Sequence, residues 1–418
     1  MILWVRLYHN IWHIAIGFVK FIRNFLKNNI FSYFLHIISK KRGAKVKKAK
    51  SQEDVILLIL VFVIVLSVGV SIFILPRESF SHYENRLLSD IPKISFTSLA
   101  DGSFFKDLAT FYSDNLPLRR QFGYLYSTFE LFLGKSESNG IILAKNDILI
   151  SRSQRSAQIY KQNLSVAENF QNEITLFVIP NSDSIFEDYL PFVASGGLYD
   201  YDYSPSGTSL SSRFLSKIHE SETPWKYYYR TDHHWTAAGA FEAYTLLCEE
   251  WGIPAYDASD FSVQTFCNDF YGSSFRRSAL PYSLISPERV ELYRYVGDED
   301  LSLTVHGITD KNVKLYDFSA YELPDKYLVH LGGNYAHLSI RNKSLERERL
   351  LVIKDSFANA LAPFLARHYD VDMVDPRYAS PEQIRCLLSK ESFSRILVLC
   401  SIDTLASERS FLSSLVKK

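Results

Sequence analysis

The hydrophobic pattern of this chain falls into two regimes. Positions 55–75 read VILLILVFVIVLSVGVSIFIL, an apolar run without a charge. At about 1.5 Å rise per residue such a helix is roughly 30 Å long, close to the hydrocarbon thickness of a bilayer. Beyond residue 140 the apolar runs become short and alternate with helical periodicity. Positions 174–179, 327–331, 350–353, 371–374 and 396–400 predict buried strands, and 236–251, 357–367, 381–388 and 403–415 predict helices. Buried strands interleaved with helices imply an α/β domain with a mainly parallel sheet flanked by helices. Residues 254–325 are richer in turns and aromatics and read as an insertion or a small β subdomain. Between the two regimes, Phe104, Phe105, Leu108, Phe111 and Tyr112 recur at helical spacing, and Asp114-Asn115-Leu116-Pro117 breaks that helix.

Charge adds a direction to this pattern. The chain is neutral overall, yet residues 1–52 hold eleven Lys and Arg and no Asp or Glu. Lys40, Lys41, Arg42, Lys45, Lys47, Lys48 and Lys50 precede the apolar run, whereas Pro76, Arg77 and Glu78 follow it. The positive-inside bias then sets residues 1–54 in the cytoplasm as a basic segment, 55–76 as a transmembrane anchor, and the rest outside the cell. That remainder divides into a stalk and helical entry, 77–139, and the α/β domain, 140–418. A cleaved signal peptide competes with the anchor, but the run is long and no small-x-small site clearly follows it. In residues 1–39, Trp4, Trp12, Ile14, Phe18, Phe21 and Ile22 are interrupted by Arg6, Lys20 and Arg23. A basic amphipathic helix on the inner membrane face, a disordered tail and a misassigned start all fit that pattern.

Composition supplies material but no chemistry. At 47% hydrophobic and 15% aromatic residues, 418 positions suffice for one large domain or two modest ones. Cys248, Cys267, Cys386 and Cys400 show neither paired nor metal-type spacing, so free thiols are expected, with a disulfide left open. No nucleic-acid partner is expected.

The candidate chemistry sits in two short motifs. Thr231-Asp232-His233-His234-Trp235 follows the aromatic stretch 225–230 and precedes a helix that Thr236 can cap. A carboxylate beside an imidazole fixes its tautomer and steadies its charged form. Lys354-Asp355-Ser356-Phe357 follows the apolar run 351–353 and opens a helix, which presents Ser356 at a predicted strand end, where ligands of open α/β sheets bind. Ser356 to attack, His234 or His233 to take its proton and Asp232 to orient the ring complete a serine acyl-transfer site. Leu331-Gly332-Gly333-Asn334 offers close backbone approach at Gly333 and an oxyanion donor in Asn334, or a plain glycine turn. Arg377 either binds substrate or pairs with Asp375, the salt bridge being preferred. Trp235 reads as a packing residue and Asp355 as the holder of its turn.

These motifs resemble bacterial DHHW-motif proteins and the alginate O-acetyltransferases of the AlgX and AlgJ type, whose catalytic domain is like that of SGNH hydrolases. The resemblance rests on Thr231-Asp232-His233-His234-Trp235-Thr236 and Lys354-Asp355-Ser356-Phe357, with weaker support from Glu84-Asn85-Arg86, residues 114–119 and residues 374–378. It implies that Asp232 orients, His234 is the base, Ser356 is the nucleophile and His233 is a supporting residue. Lys354 stands where the family's glycine often stands, and a larger residue there is expected to narrow the approach to Ser356. The implied protein is a membrane-anchored extracytoplasmic serine O-acetyltransferase or acetylesterase acting on a cell-surface polysaccharide, without a cofactor. A membrane-bound O-acyltransferase partner would supply acetyl across the bilayer. Two rival readings remain: a noncatalytic polysaccharide-binding or scaffold protein with a degenerate site, and a metal-dependent phosphoesterase using Asp232, His233 and His234 as ligands. The second lacks the further aspartates such sites need.

Overall fold

The computed structural model describes residues 52–81, 83, 86–152, 155–169, 174–191 and 210–412. The readings for residues 1–39, for the basic flank and for Glu84 and Asn85 fall outside these. The chain divides into two units, 1–71 and 72–418.

The apolar run forms helix α1, Gln52–Ile74, with side chains described from Ile59 onward. Among the described residues no helix is long and apolar enough to cross a membrane. Its last turn belongs to the larger unit, where Ile72 is buried. There Phe73 packs on Phe111 and Tyr112 with ring centroids 6.1 Å away in each case. Those two rings lie on helix α2, Ser103–Asn115, the helix predicted from the apolar spacing, which is followed by helix α3, Arg119–Phe132. The Pro117 break between them holds, with Leu118 in the left-handed conformation at φ 59°.

Among the described residues seven strands make the main sheet: β1 Thr175–Ile179, β2 Leu301–Val305, β3 Lys311–Val313, β4 His337–Asn342, β5 Arg349–Lys354, β6 Asp370–Val374 and β7 Arg395–Ser401. Their spatial order is β3-β2-β4-β6-β5-β7-β1. The β6-β5-β7-β1 half is parallel, and the β3-β2-β4-β6 half is antiparallel. The sheet is therefore mixed, which corrects the expected mainly parallel one. The reason is twofold: β4 runs antiparallel to β6, and part of 254–325 joins the sheet as β2 and β3, a hairpin that docks on β4. The rest of that region contains a separate bulged hairpin, Ser262–Phe270 with Glu288–Arg294.

The parallel strands read as continuous apolar runs because they feed two cores. Leu350 and Val352 of β5 enter one cluster while Leu351 and Ile353 enter the other, and Leu397, Leu399 and Val398, Cys400 of β7 do the same. Covering both faces removes the polar alternation of a half-exposed strand. On one face lie helix α4, Ala237–Trp251, and helix α5, Ala358–Leu365, whose eight residues are all buried. Helix α6, Pro381–Lys390, starts with a capping box from Ser380 and Gln383. Helix α7, Ile402–Ser407, ends well before the predicted 415.

The strand expected at 327–331 is absent. A 3-10 turn, Lys326–Val329, takes its place, with His330 N–H donating to Tyr327 O at 3.1 Å and Leu331 left-handed at φ 64°. Apolar residues here serve the core without pairing in the sheet. The aromatic stretch 225–230 is likewise not an extended strand. Pro224–Lys226 is a 3-10 turn, and an isolated bridge joins Tyr228 to Trp235. The four cysteines are free; Cys248, Cys267 and Cys400 are buried and Cys386 is exposed.

Candidate active site

The two motifs meet. Asp232 Oδ1 lies 2.6 Å from His234 Nδ1, and His234 Nε2 lies 2.7 Å from Ser356 Oγ. Both distances are hydrogen-bonding ones, so carboxylate, imidazole and hydroxyl form one continuous relay.

Each member is held by its local chain. The His234 N–H donates to Asp232 Oδ1 at 3.0 Å, closing a tight turn within the loop that the Tyr228–Trp235 bridge spans, just before α4. Thr236 caps α4 by accepting from Gly239 N–H at 3.2 Å, as its sequence position predicts. Ser356 lies two residues beyond the end of β5, just after Asp355. The buried Asp355 carboxylate accepts from Phe357 N–H at 3.0 Å, Ser401 N–H at 2.7 Å and Thr404 Oγ1–H at 2.8 Å, confirming its part in the turn. Burial would raise this carboxyl; the Arg377 charge and those three donors hold it below its ordinary range. Trp235 is fully buried, and its Nε1–H donates to Phe357 O at 3.0 Å, which ties the pentapeptide to the serine turn. Packing is thus its place in the fold.

The imidazole of His234 is clamped on both faces. Tyr327 stacks on it with centroids 3.9 Å away and planes 9° apart, and His233 covers the other side at 3.8 Å. His233 itself has its Nδ1 2.7 Å from Ser273 Oγ. Burial, and next the charge of His234, hold His233 below its ordinary range; its ring remains 40% exposed in the cleft, which limits that fall. Asp232 is buried, which would raise it. The His234 and His233 charges and the hydrogen bonds it accepts hold it well below the usual carboxylate range. It therefore stays ionised beside the ring that must carry a proton.

Several residues that complete the site gave no signal in the sequence. Ser273 N–H donates to Asp232 Oδ2 at 2.6 Å, across 41 positions of chain. A side chain on the preceding Gly272 would put its Cβ 2.3 Å from Asp232 Cβ, so only glycine lets the two loops approach. The buried Glu288 carboxylate accepts from Arg230 N–H and Thr231 N–H, each at 2.8 Å, and holds the start of the pentapeptide. All three lie in 254–325, the region read as an insertion. A Gly-Ser pair before a helix marks a turn, but nothing in its spacing points at Asp232.

The relay opens on a cleft of about 840 Å³. Ser356, His233, Asp403 and five arginines, Arg119, Arg120, Arg276, Arg277 and Arg377, are among its lining. Arg377 is bound to Asp375 through Nε at 2.9 Å and Nη2 at 2.7 Å, the preferred salt bridge, while also facing the cleft. Asn334 and Gly333 are not among the lining residues. Asn334 Oδ1 accepts from Lys354 Nζ at 2.9 Å and from Asn359 Nδ2 at 3.1 Å, and Gly333 O accepts from Asn359 Nδ2 at 3.2 Å. The Ser356 N–H makes no backbone hydrogen bond among the described residues, and it lies beside the hydroxyl where an oxyanion would form.

Lys354 does not narrow the approach to Ser356. Its side chain is buried against Asn334, Asn359 and Asp375 and is not part of the cleft lining. Burial lowers its amine to about 8, against the partial support of Asp375. A folded value below the unfolded one means that stability is lost as pH falls through about 8 and is regained toward the unfolded value near 10.5. The parent should therefore gain stability relative to Lys354→Met between pH 8 and pH 10, by about 1.4 kcal/mol per unit at most. Chemical denaturation of both proteins across that range checks it, and parallel curves would contradict it.

Asp232, His233 and His234 also offer ligand atoms within 4.8 Å of one another. The Asp232–His234 contact of 2.6 Å, however, is shorter than the roughly 3.3 Å between neighbouring ligands on a tetrahedral ion. Both His234 nitrogens already have partners.

Residues 198–374 match the DHHW protein family. No curated protein matches the chain. Among solved structures, a DHHW family protein from Eubacterium siraeum is similar at 18% identity, covering 68% of this chain and 98% of its own, with a TM-score of 0.50. Bacillus cereus PatB1 is similar at 18% identity, covering 64% and 98%, with a TM-score of 0.52, and a second structure of it carries a sulfonyl adduct. The O-acetyltransferase domain of Pseudomonas putida AlgJ is similar at 14% identity, covering 64% and 92%, with a TM-score of 0.37. The DHHW resemblance read from the pentapeptide thus holds, and the first two structures share its fold.

Proposed function

We propose that this chain, with its DHHW region at residues 198–374, is a serine O-acetyltransferase or acetylesterase acting on hydroxyls of a cell-surface polysaccharide. The observation that carries the reading is the Asp232–His234–Ser356 relay, at 2.6 and 2.7 Å, opening on a cleft lined in part by arginines. Ser356 Oγ attacks the carbonyl carbon of a donor acetyl ester while His234 Nε2 takes its proton. The ionised Asp232 steadies the imidazolium, and the Ser356 N–H faces the developing oxyanion. Collapse expels the donor's alkoxide, which receives the proton from His234 and leaves an acetyl group on Ser356. An acceptor hydroxyl then gives its proton to His234 and attacks the acetyl-enzyme, so that Ser356 is released and the acceptor is acetylated. Water in place of the sugar gives acetate. No cofactor takes part.

The basic residues before α1 and the uncharged run within it support a chain anchored with its first 54 residues in the cytoplasm and the relay outside. Acetyl-coenzyme A is cytoplasmic, so a membrane-bound O-acyltransferase partner would deliver acetyl to this side. The noncatalytic alternative is disfavoured by the alignment of all three relay members, and the metal alternative by the close Asp232–His234 contact.

The test is to incubate the chain with p-nitrophenyl acetate and a set of oligosaccharides. Acetylated sugar in the mass spectrum, absent with Ser356→Ala, is expected of the transferase. Acetate alone assigns an esterase. Neither product from a folded protein points to a noncatalytic binder.

A further inference from the structure

Helix α3 is turned inside out. Its buried residues are Ser127 and Glu130, while Phe122, Leu125, Tyr126, Phe129 and Phe132 are 49–84% exposed. At 100° per residue these five side chains fall on a single face about 120° wide. Water-facing helices carry the opposite arrangement, with the apolar stripe on the core. The polar side is engaged: Ser127 Oγ lies 2.8 Å from Ser138 Oγ and donates to Ser278 O at 3.1 Å, and Glu130 accepts from Lys135 Nζ at 2.8 Å. The inversion is therefore built into the fold.

We infer that this face of α3 lies in the interfacial layer of a lipid bilayer. Three observations select lipid over a protein partner. Upstream in the chain, α1 carries an uncharged run whose described large apolar side chains are largely exposed. The final turn of α1 is fixed to α2 through Phe73, Phe111 and Tyr112, next in sequence to α3. The stretch joining them adds further exposed apolar residues, among them Leu87, Ile94, Phe96 and Phe105 at 60–88%. Exposed aromatic and aliphatic side chains in this number suit a layer that admits them some 5–10 Å deep.

The consequence concerns the cleft. Arg120, Gly123 and Tyr124, on the other side of the same helix, line the cavity that holds Ser356. Docking α3 on lipid sets the cleft at the membrane surface, where a membrane-borne acetyl donor would reach it without diffusing through solution. This rests on the anchored reading proposed above.

The test uses the full chain in phosphatidylcholine–phosphatidylglycerol vesicles, with Cys386→Ser removing the exposed thiol. Nitroxides are placed singly at Leu125→Cys, Phe129→Cys, Phe132→Cys, Val65→Cys in α1, and Leu345→Cys on a distant exposed loop. Collision with oxygen is compared with collision with an aqueous nickel chelate. The oxygen-to-nickel ratio at 125, 129 and 132 should exceed that at 345 severalfold and approach that at 65. Ratios at 125, 129 and 132 equal to that at 345, with 65 still in lipid, overturn the docking and leave the anchor standing. Exclusion of both reagents, or spin–spin broadening between chains, overturns it in favour of a protein partner or a second copy. An aqueous 65 with lipid-like 125, 129 and 132 supports the docking and refutes the anchor.

Discussion

Replacing His234 with alanine should lower kcat for acetyl transfer by about 10⁴-fold or more, with a similar loss in Ser356→Ala. The side chain is the only group hydrogen-bonded to Ser356 Oγ among the described residues, at 2.7 Å. Without it the hydroxyl has no base, and at neutral pH it is a weak nucleophile. Because the two residues act as one unit, the double variant should lose little beyond either single one. Folding should survive, since Asp232 keeps the Ser273 N–H at 2.6 Å. Initial rates, with circular dichroism melts as control, check this. His233→Ala should lose far less, because its Nδ1 is directed at Ser273 and not at Ser356. Equal losses at 233 and 234 would contradict the assignment of the base.

Trp235→Ala should destabilise the domain by about 3–5 kcal/mol, the range for truncating a large aromatic residue in a core. Its ring is fully buried and meets Phe357 at 5.3 Å and Phe214 at 5.9 Å, both edge-on. Activity should fall with stability, since the Nε1–H bond to Phe357 O links the histidine loop to the residue after Ser356. Trp235→Phe separates the two contributions: most packing remains, and loss of the hydrogen bond alone should cost about 1 kcal/mol. Urea denaturation measures both. A Trp235→Ala protein as stable as the parent would show that the indole packs less tightly than its burial implies.

These contrasts mark how far the sequence carries. β5 and β7 were legible because strands buried on two faces are apolar throughout, and the helices behind them because caps such as Thr236 and Ser380 stand at their starts. The run 327–331 looks like such a strand, yet it is a turn whose Tyr327 serves as the stacking partner of His234. Strands β2 and β4 were not read, since LSLTV and HLSIRN mix polar with apolar positions and are only partly buried. That omission made a mixed sheet look parallel. In the site, Asp232, His234 and Ser356 announce themselves by residue type and local context. Ser273 and Glu288 do not, because they act through backbone and side-chain contacts made 41 and 57 positions from their targets. The inverted stripe of α3 is readable only once burial is known.

In the proposed mechanism Ser356 carries the acetyl group between donor and acceptor. Rapid quenching of the chain with a chromogenic acetyl ester, followed by peptide mass spectrometry, tests it directly. One acetyl group is expected on the peptide containing Ser356, formed in a burst and discharged when acceptor is added, and absent from Ser356→Ala. Turnover of the ester without that adduct, or turnover that persists in Ser356→Ala and stops on chelation of metal ions, would contradict it.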